Sequence, residues 1–411
     1  MRHIDTLVIG AGQAGLAMSH CLSERSVEHV VLERGDVANS WARERWDSLR
    51  LLTPNWQSRL PGYCYTGDDP QGFMSMAQVV SYLRGYSNQS PMPIECRTKV
   101  LAVSADGQGY RVATSRVDWA CRNVVMANGA CAIPSIPTIS AALPTDLTQI
   151  SALAYREPGQ LPKGGVLVVG ASASGVQIAS ELAQAGHAVT LAAGHHIRMP
   201  RSYRGRDIQW WMDRSGVQDQ GIGDVDDIAR ARALPSLQLV GDADIPLMDF
   251  NHLQSLGCTI TGRLTAIRSG VALFSGGLAN ACALSDLKMR RLLRSFDAFA
   301  EETAVPGLSS LEPISATALP QRPDLSLDLG SGAIRTIVWA TGFRPDFSWL
   351  KMPVFDRKGQ LLHDEGHVAD GLYVLGLPFM RKRKSALIDG VGDDAIALSD
   401  QIVRRSHQTV A

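Results

Sequence analysis

The chain has 411 residues, long enough for more than one domain, and its 40 lysines and arginines balance 40 aspartates and glutamates. That balance gives no bulk electrostatic argument for nucleic acid. No apolar run reaches the roughly 18 residues of a membrane span, and the seven cysteines include no CxxC pair. The expectation is a soluble cytoplasmic protein with reduced thiols, no metal site and no membrane partner.

In chain order, residues 4–9 predict a strand, 14–24 a helix, and Val27 to Glu33 a second strand whose Val30-Val-Leu32 suits a buried parallel sheet. Residues 36–72 read as loop, broken by Pro54, Pro61 and Pro70. A helix is expected over 76–87, strands over 95–128, and a Pro-rich crossover from Ile133 to Pro144. A second βαβ unit starts near Leu167, with Ala188 to Ala192 as its next strand. Residues 215–310 alternate between helical and irregular patterns. Ile334 to Trp339 and Leu372 to Leu375 read as late strands, followed by a helix from about 393.

A glycine-rich turn occurs twice between a strand and a helix: Gly10-Ala-Gly12-Gln13-Ala14-Gly15 and Gly170-Ala-Ser172-Ala-Ser174-Gly175. Such a turn brings backbone N–H groups at a helix start up to a pyrophosphate. The copies differ where cofactor choice is made. Glu33, 23 residues after Gly10, can accept both hydroxyl protons of an adenosine ribose and repels a 2′-phosphate, so FAD or NAD fits there. The same offset from Gly170 gives Ala193, followed by His195, His196, Arg198 and Arg201, which favours NADPH. The fold class is α/β: two Rossmann-like dinucleotide-binding domains, the NADP domain (161–330, with a helical insertion) inserted within an FAD domain formed by 1–160 and 331–411.

With Trp46-Asp-Ser-Leu-Arg50, Ala340-Thr341-Gly342 and Gly390-Val-Gly392-Asp393-Asp394, the chain resembles the flavin-containing monooxygenases and their class B relatives over nearly its full length. The resemblance places FAD in the first unit and NADPH in the second. It adds Arg34, Trp41, Arg45, Arg50, Val100 and Gly129 to the flavin surroundings, and Thr341, Gly342, Gly392 and Asp393 to the cofactor-binding set. It makes Asn55 the active-site asparagine, in competition with an Asx turn after Pro54. The family fingerprint FxGxxxHxxx(F/W) is altered, with Gln149 in the histidine region. The implied activity is insertion of one oxygen atom from O2 into a small organic substrate through a flavin C4a-(hydro)peroxide, on nitrogen or sulfur ahead of a carbonyl. A quinone-type reductase or a noncatalytic nucleotide-binding protein are the alternatives, and a homodimer is possible. Two further features have bland readings. Trp210-Trp211 suits an amphipathic helix with one ring packed, and Arg381-Lys-Arg-Lys384 suits a solvated loop.

Overall fold

The computed structural model describes residues 1–89, 91–107 and 109–410, with the side chains of 407–410 left aside. The chain opens with β1 (Arg2–Ile9), α1 (Gln13–Glu24), β2 (His29–Leu32), α2 (Met76–Gln89), β3 (Ile94–Glu95), β4 (Val100–Asp106), β5 (Gly109–Thr114) and β6 (Trp119–Met126). It continues with β7 (Thr148–Ser151), β8 (Gly165–Val169), α3 (Ala173–Gln184), β9 (Val189–Ala193), α4 (Ile208–Arg214), β10 (Thr259–Gly262), α5 (Leu278–Glu302) and β11 (Ile334–Trp339). It closes with β12 (His367–Ala369), β13 (Leu372–Val374) and α6 (Val391–Val410).

The first sheet has the order β12-β13-β6-β1-β2-β3, with β5 bonded to both β6 and β4. Its centre is parallel and apolar on both faces: Leu7, Val8, Val124 and Val125 are all fully buried. The small residues Ala14, Gly15 and Ala17 let α1 lie close to this sheet, and α6 packs against α1 with Leu398 and Ile402 fully buried. The second sheet is wholly parallel, in the order β7-β11-β8-β9-β10.

That order corrects the domain boundaries. Thr148–Ser151 and Ile334–Trp339 flank Gly165–Val169 in the second sheet, so this unit runs from about 148 to 339 rather than 161 to 330. An apolar strand such as Ile334–Trp339 suits either sheet, and only its pairing decides. The outgoing and returning chains run side by side: Ile133–Pro134 pairs antiparallel with Phe343–Arg344.

The stretch 215–310 contains α5, 25 residues long, which buries Cys282, Ser285, Met289, Leu293 and Phe296 along one stripe. It also holds the antiparallel pair Leu264–Arg268 and Val271–Phe274, extended by Ser326–Asp328. On α4, Trp211 is fully buried and donates its indole N–H to the Tyr203 carbonyl at 2.7 Å, while Trp210 is half-buried. The expected division of labour between the two rings holds.

Candidate cofactor and active site

The strands β1 and β8 end in one construction, built twice. Gly10 has φ +105° and Gly170 φ +112°, a region open mainly to glycine. A Cβ on Gly10 would lie 2.6 Å from the Ala127 carbonyl oxygen, and one on Gly170 2.2 Å from that of Ala340. A Cβ on Gly15 would lie 1.7 Å from Gly10 O, and one on Gly175 1.9 Å from Gly170 O, so each helix rests directly on its turn. A Cβ on Gly12 would meet nothing within 4 Å. The residues capping α1 and α3, Gly12 and Ser172, make no side-chain cap bond, so the first-turn N–H groups of both helices lack a side-chain acceptor. The doubling extends to the neighbouring strands. Ala127-Asn-Gly129 follows β6 and Ala340-Thr-Gly342 follows β11, with φ +85° at Gly129 and +96° at Gly342.

A cleft of about 320 Å³ opens at the first turn. It brings together Gly10, Gly12, Gln13, Ala14, Glu33, Arg34, Trp41, Arg45, Val100 and Gly129, all expected from sequence. Glu33 is 6% exposed, and its carboxylate oxygens accept the N–H groups of Ala11 and Gly35, both at 2.8 Å. These bonds fix the carboxylate at the strand end and leave lone pairs for a ribose. The Trp41 indole donates to Gln13 Oε1 at 3.0 Å, the Arg45 guanidinium lies 5.4 Å over its ring, and Arg34 pairs with Glu44. Glycines that leave room for a backbone approach, next to a fixed carboxylate, match what the adenosine and pyrophosphate of FAD require. Sequence reading missed Thr98, Lys99, Asn128, Cys131, Asp346 and Trp349 on the same walls. The repeated Ala-Xaa-Gly was the available signal for Asn128 and its neighbours.

Four expected residues lie outside this lining. Gly15 does its work beneath the turn. Arg50 donates to the Phe73 carbonyl at 3.0 Å, Gly392 is held near Pro61, and Asp393 accepts from Lys382 Nζ at 3.0 Å. The buried carboxylate at the start of α6 is instead Asp394, 1% exposed, whose Oδ2 has no partner among the described residues. Burial lifts its pKa to about 6. A carboxyl raised in the folded state favours folding below its unfolded value of 3.8 and loses that contribution as pH climbs toward 6. Asp394→Asn is therefore expected to melt higher than wild type at pH 7.5, with the difference vanishing near pH 4. Thermal melts across that range check it, and a constant difference would sink it.

Asn55 opens the short turn Asn55–Gln57 and is 4% exposed. Its amide donates to the Asp69 carbonyl at 2.8 Å, not to its own turn, and its Oδ1 is unpartnered. Gln57 Oε1 and Ser58 Oγ are also buried, and among the described residues none of these three polar atoms, within four residues of chain, has a partner. Native proteins rarely leave such atoms without a partner, water or ligand. From the same turn Gln57 Nε2 reaches Gln218 Oε1 at 3.1 Å, and Gln218 Nε2 reaches Gln209 Oε1 at 2.7 Å. This buried relay joins the turn to α4.

At the second turn the structure corrects two expectations. Arg198 is 1% exposed and is engaged by Asp249 at 2.6 Å and Asp286 at 3.0 Å. Arg201, 3% exposed, pairs with Asp207 at 2.6 Å, donates to the Leu52 carbonyl at 2.9 Å and lies 4.8 Å over Phe73. Both guanidiniums are buried and engaged by carboxylates and carbonyls inside the protein, so neither is an open phosphate fork. His195 is exposed. Thr341 Oγ1 donates to the Ser135 carbonyl at 2.6 Å, and Ser135 N–H donates to the Gly342 carbonyl at 2.9 Å, fixing the crossover. Gln149 accepts the Trp339 indole N–H at 3.1 Å within the second sheet, a structural contact. Three residues of the basic run are carboxylate-paired, Arg381 with Glu365, Lys382 with Asp219 and Asp393, and Lys384 with Asp219, while Arg383 donates to Gln220 Oε1 at 2.8 Å.

Residues 7–211 match the family described as pyridine nucleotide-disulphide oxidoreductase. An uncharacterized CzcO-like oxidoreductase of Geobacillus kaustophilus is 30% identical over 98% of this chain and 99% of its own length. The probable indole-3-pyruvate monooxygenase YUCCA8 of Arabidopsis thaliana is 30% identical over 49% of the chain and 50% of its own. Among solved structures, a flavin-containing monooxygenase from Stenotrophomonas maltophilia shares the fold with TM-score 0.69 at 18% identity, over 98% of this chain and 99% of that one. The bacillithiol disulfide reductase Bdr of Staphylococcus aureus shares it with TM-score 0.63 at 11% identity, over 98% and 99%. The chain belongs to the family of the CzcO-like oxidoreductases, and its fold is that of the flavin-containing monooxygenases. No helix among the described residues is long and apolar enough to cross a membrane.

Proposed function

We propose that this protein transfers one atom of O2 to a nitrogen or sulfur of a small organic substrate, with NADPH as reductant and water as the second product. The duplicated glycine turn carries the reading: one copy faces a fixed ribose-binding carboxylate and the other lacks it. FAD, when bound, accepts hydride and activates dioxygen. The chain's own residues do the rest. Glu33 holds the adenosine ribose of FAD through its free lone pairs. The N–H groups opening α1 face its pyrophosphate, and those opening α3 face that of NADPH. Trp41, with Arg45 stacked on it, shields the cleft from water. Asn55 presents an unpartnered carbonyl oxygen and orients the reacting groups by hydrogen bonding. A disulfide reaction is disfavoured because Cys131 is the one cysteine among the described residues lining the cleft, and burial holds its thiol above the usual range.

The test is single-turnover oxidation of FAD-loaded, NADPH-reduced protein with 18O2 and a tertiary amine or a thioether. One labelled oxygen is expected in an N-oxide or sulfoxide. A labelled ester from a ketone would move the assignment to carbonyl insertion. Hydrogen peroxide alone, with brisk quinone reduction, would replace the oxygenase by a reductase. Asn55→Ala is expected to lower product formation by about 10²-fold with flavin content unchanged. An unchanged rate would remove Asn55 from the site.

A further inference from the structure

We propose that Arg263 grips the 2′-phosphate of NADPH and selects NADPH over NADH, with His195 and Lys288 completing the basic patch. The inference rests on NADPH occupying the second glycine turn.

The internal repeat supplies the geometry. In the first unit β2 pairs with β3, and the chain just past β3 contributes Thr98 and Lys99 to the cofactor cleft. In the second unit β9 pairs with β10 in the matching way, Ala193 opposite Gly262. With the units aligned on Gly10 and Gly170, Leu32 matches Ala192 and their partners Glu95 and Thr261 match each other, so Arg263 corresponds to Arg97, immediately before Thr98. Where Glu33 puts a carboxylate beside a ribose, the second unit has Ala193 and then Gly194. A Cβ built on Gly194 would lie 3.9 Å from Arg263 Cγ, so the arginine stem runs along this glycine. Arg263 is exposed, and its guanidinium has no hydrogen bond or ion pair among the described residues, unlike the buried, carboxylate-paired Arg198 and Arg201.

The surroundings are positive. His195 and Lys288 are exposed and have no ion-pair partner among the described residues. Both stand close to His196, which is held below the usual histidine range by burial first and then by these two charges. Asp286, the nearby acid, is already bound to Arg198 and to Thr317. A planar guanidinium whose N–H groups are unbonded among the described residues, beside Gly194 and His195, suits a phosphate dianion.

The experiment titrates NADP⁺ and NAD⁺ into the FAD-loaded protein by calorimetry, for wild type, Arg263→Gln and Ala193→Glu. Wild type is expected to prefer NADP⁺. Arg263→Gln should weaken NADP⁺ by roughly tenfold or more while leaving NAD⁺, flavin content and melting temperature nearly unchanged. Ala193→Glu, which recreates the Glu33 arrangement, should reverse the preference. If wild type shows no preference, the NADPH assignment to this turn fails, and the inference with it. If wild type prefers NADP⁺ and Arg263→Gln keeps the full preference, the Arg263 assignment alone is overturned. Equal weakening of both dinucleotides also overturns it, since a 2′-phosphate contact cannot affect NAD⁺.

Discussion

Gly12→Ala is expected to yield a folded protein that no longer retains FAD, whereas Gly15→Ala is expected to yield little folded protein at all. The two glycines are three residues apart and differ only in what a methyl group would meet. On Gly12 it meets no protein atom within 4 Å, so the fold has no reason to change. It would fill the space through which a pyrophosphate reaches the helix start. On Gly15 it would lie 1.7 Å from the Gly10 carbonyl oxygen, a backbone atom that cannot rotate away. Relief requires moving α1 off β1, and α1 also carries α6. Overpacking of this kind costs about 1–3 kcal/mol or more, and here it acts on the central strand of the sheet. Flavin absorbance per protein and a thermal melt separate the two outcomes. A folded, fully yellow Gly12→Ala protein would mean that the cofactor does not approach the turn through this space.

Arg198→Met is expected to be among the most destabilising single changes in the second unit. The side chain is 1% exposed, and its removal strands Asp249 and Asp286 beside an apolar neighbour. Breaking a buried pair by deleting one partner costs about 3–5 kcal/mol. Asp249 also caps Phe250–Ser255 through the His252 N–H, and Asp286 holds Thr317, so the loss spreads to two further segments. Chemical denaturation should show the drop, while NADP⁺ affinity of the surviving folded fraction stays near wild type. A collapse of NADP⁺ affinity without loss of stability would return Arg198 to the role of phosphate ligand.

The separate fates of Arg198, Arg201 and Arg263 show what was legible in the sequence and what was not. Local pattern was legible: a glycine turn between strand and helix in each unit, Glu33 at a strand end, and strands over 4–9 and Ile334–Trp339 follow from apolar runs and turn residues close together in the chain. Asn55 was singled out, and its burial with an unpartnered oxygen distinguishes it from an Asx turn. Pairing between distant segments could not be read. An arginine five residues past a strand looks the same whether two aspartates 51 and 88 residues away close on it or leave it free. Ile334–Trp339 was found as a strand but assigned to the wrong sheet for the same reason. Arg263 lay in the segment that read as irregular, and only the match of its strand to Val189–Ala193 brings it beside Gly194.

The pairing of Leu372–Val374 with Val124–Met126 bears on the order in which the protein is made. When β6 has left the ribosome, the strand that will lie against it is still far from being synthesised. The second sheet, complete once Trp339 appears, can close first. Until Leu372–Val374 follows, the first unit holds Val124 and Val125 at an unpaired edge, open to any extended segment nearby. A chain cut short after the second unit would keep one finished sheet and one permanently open one. The last strand and α6 therefore act as the closing step of assembly, completing a unit that was begun at the other end of the chain.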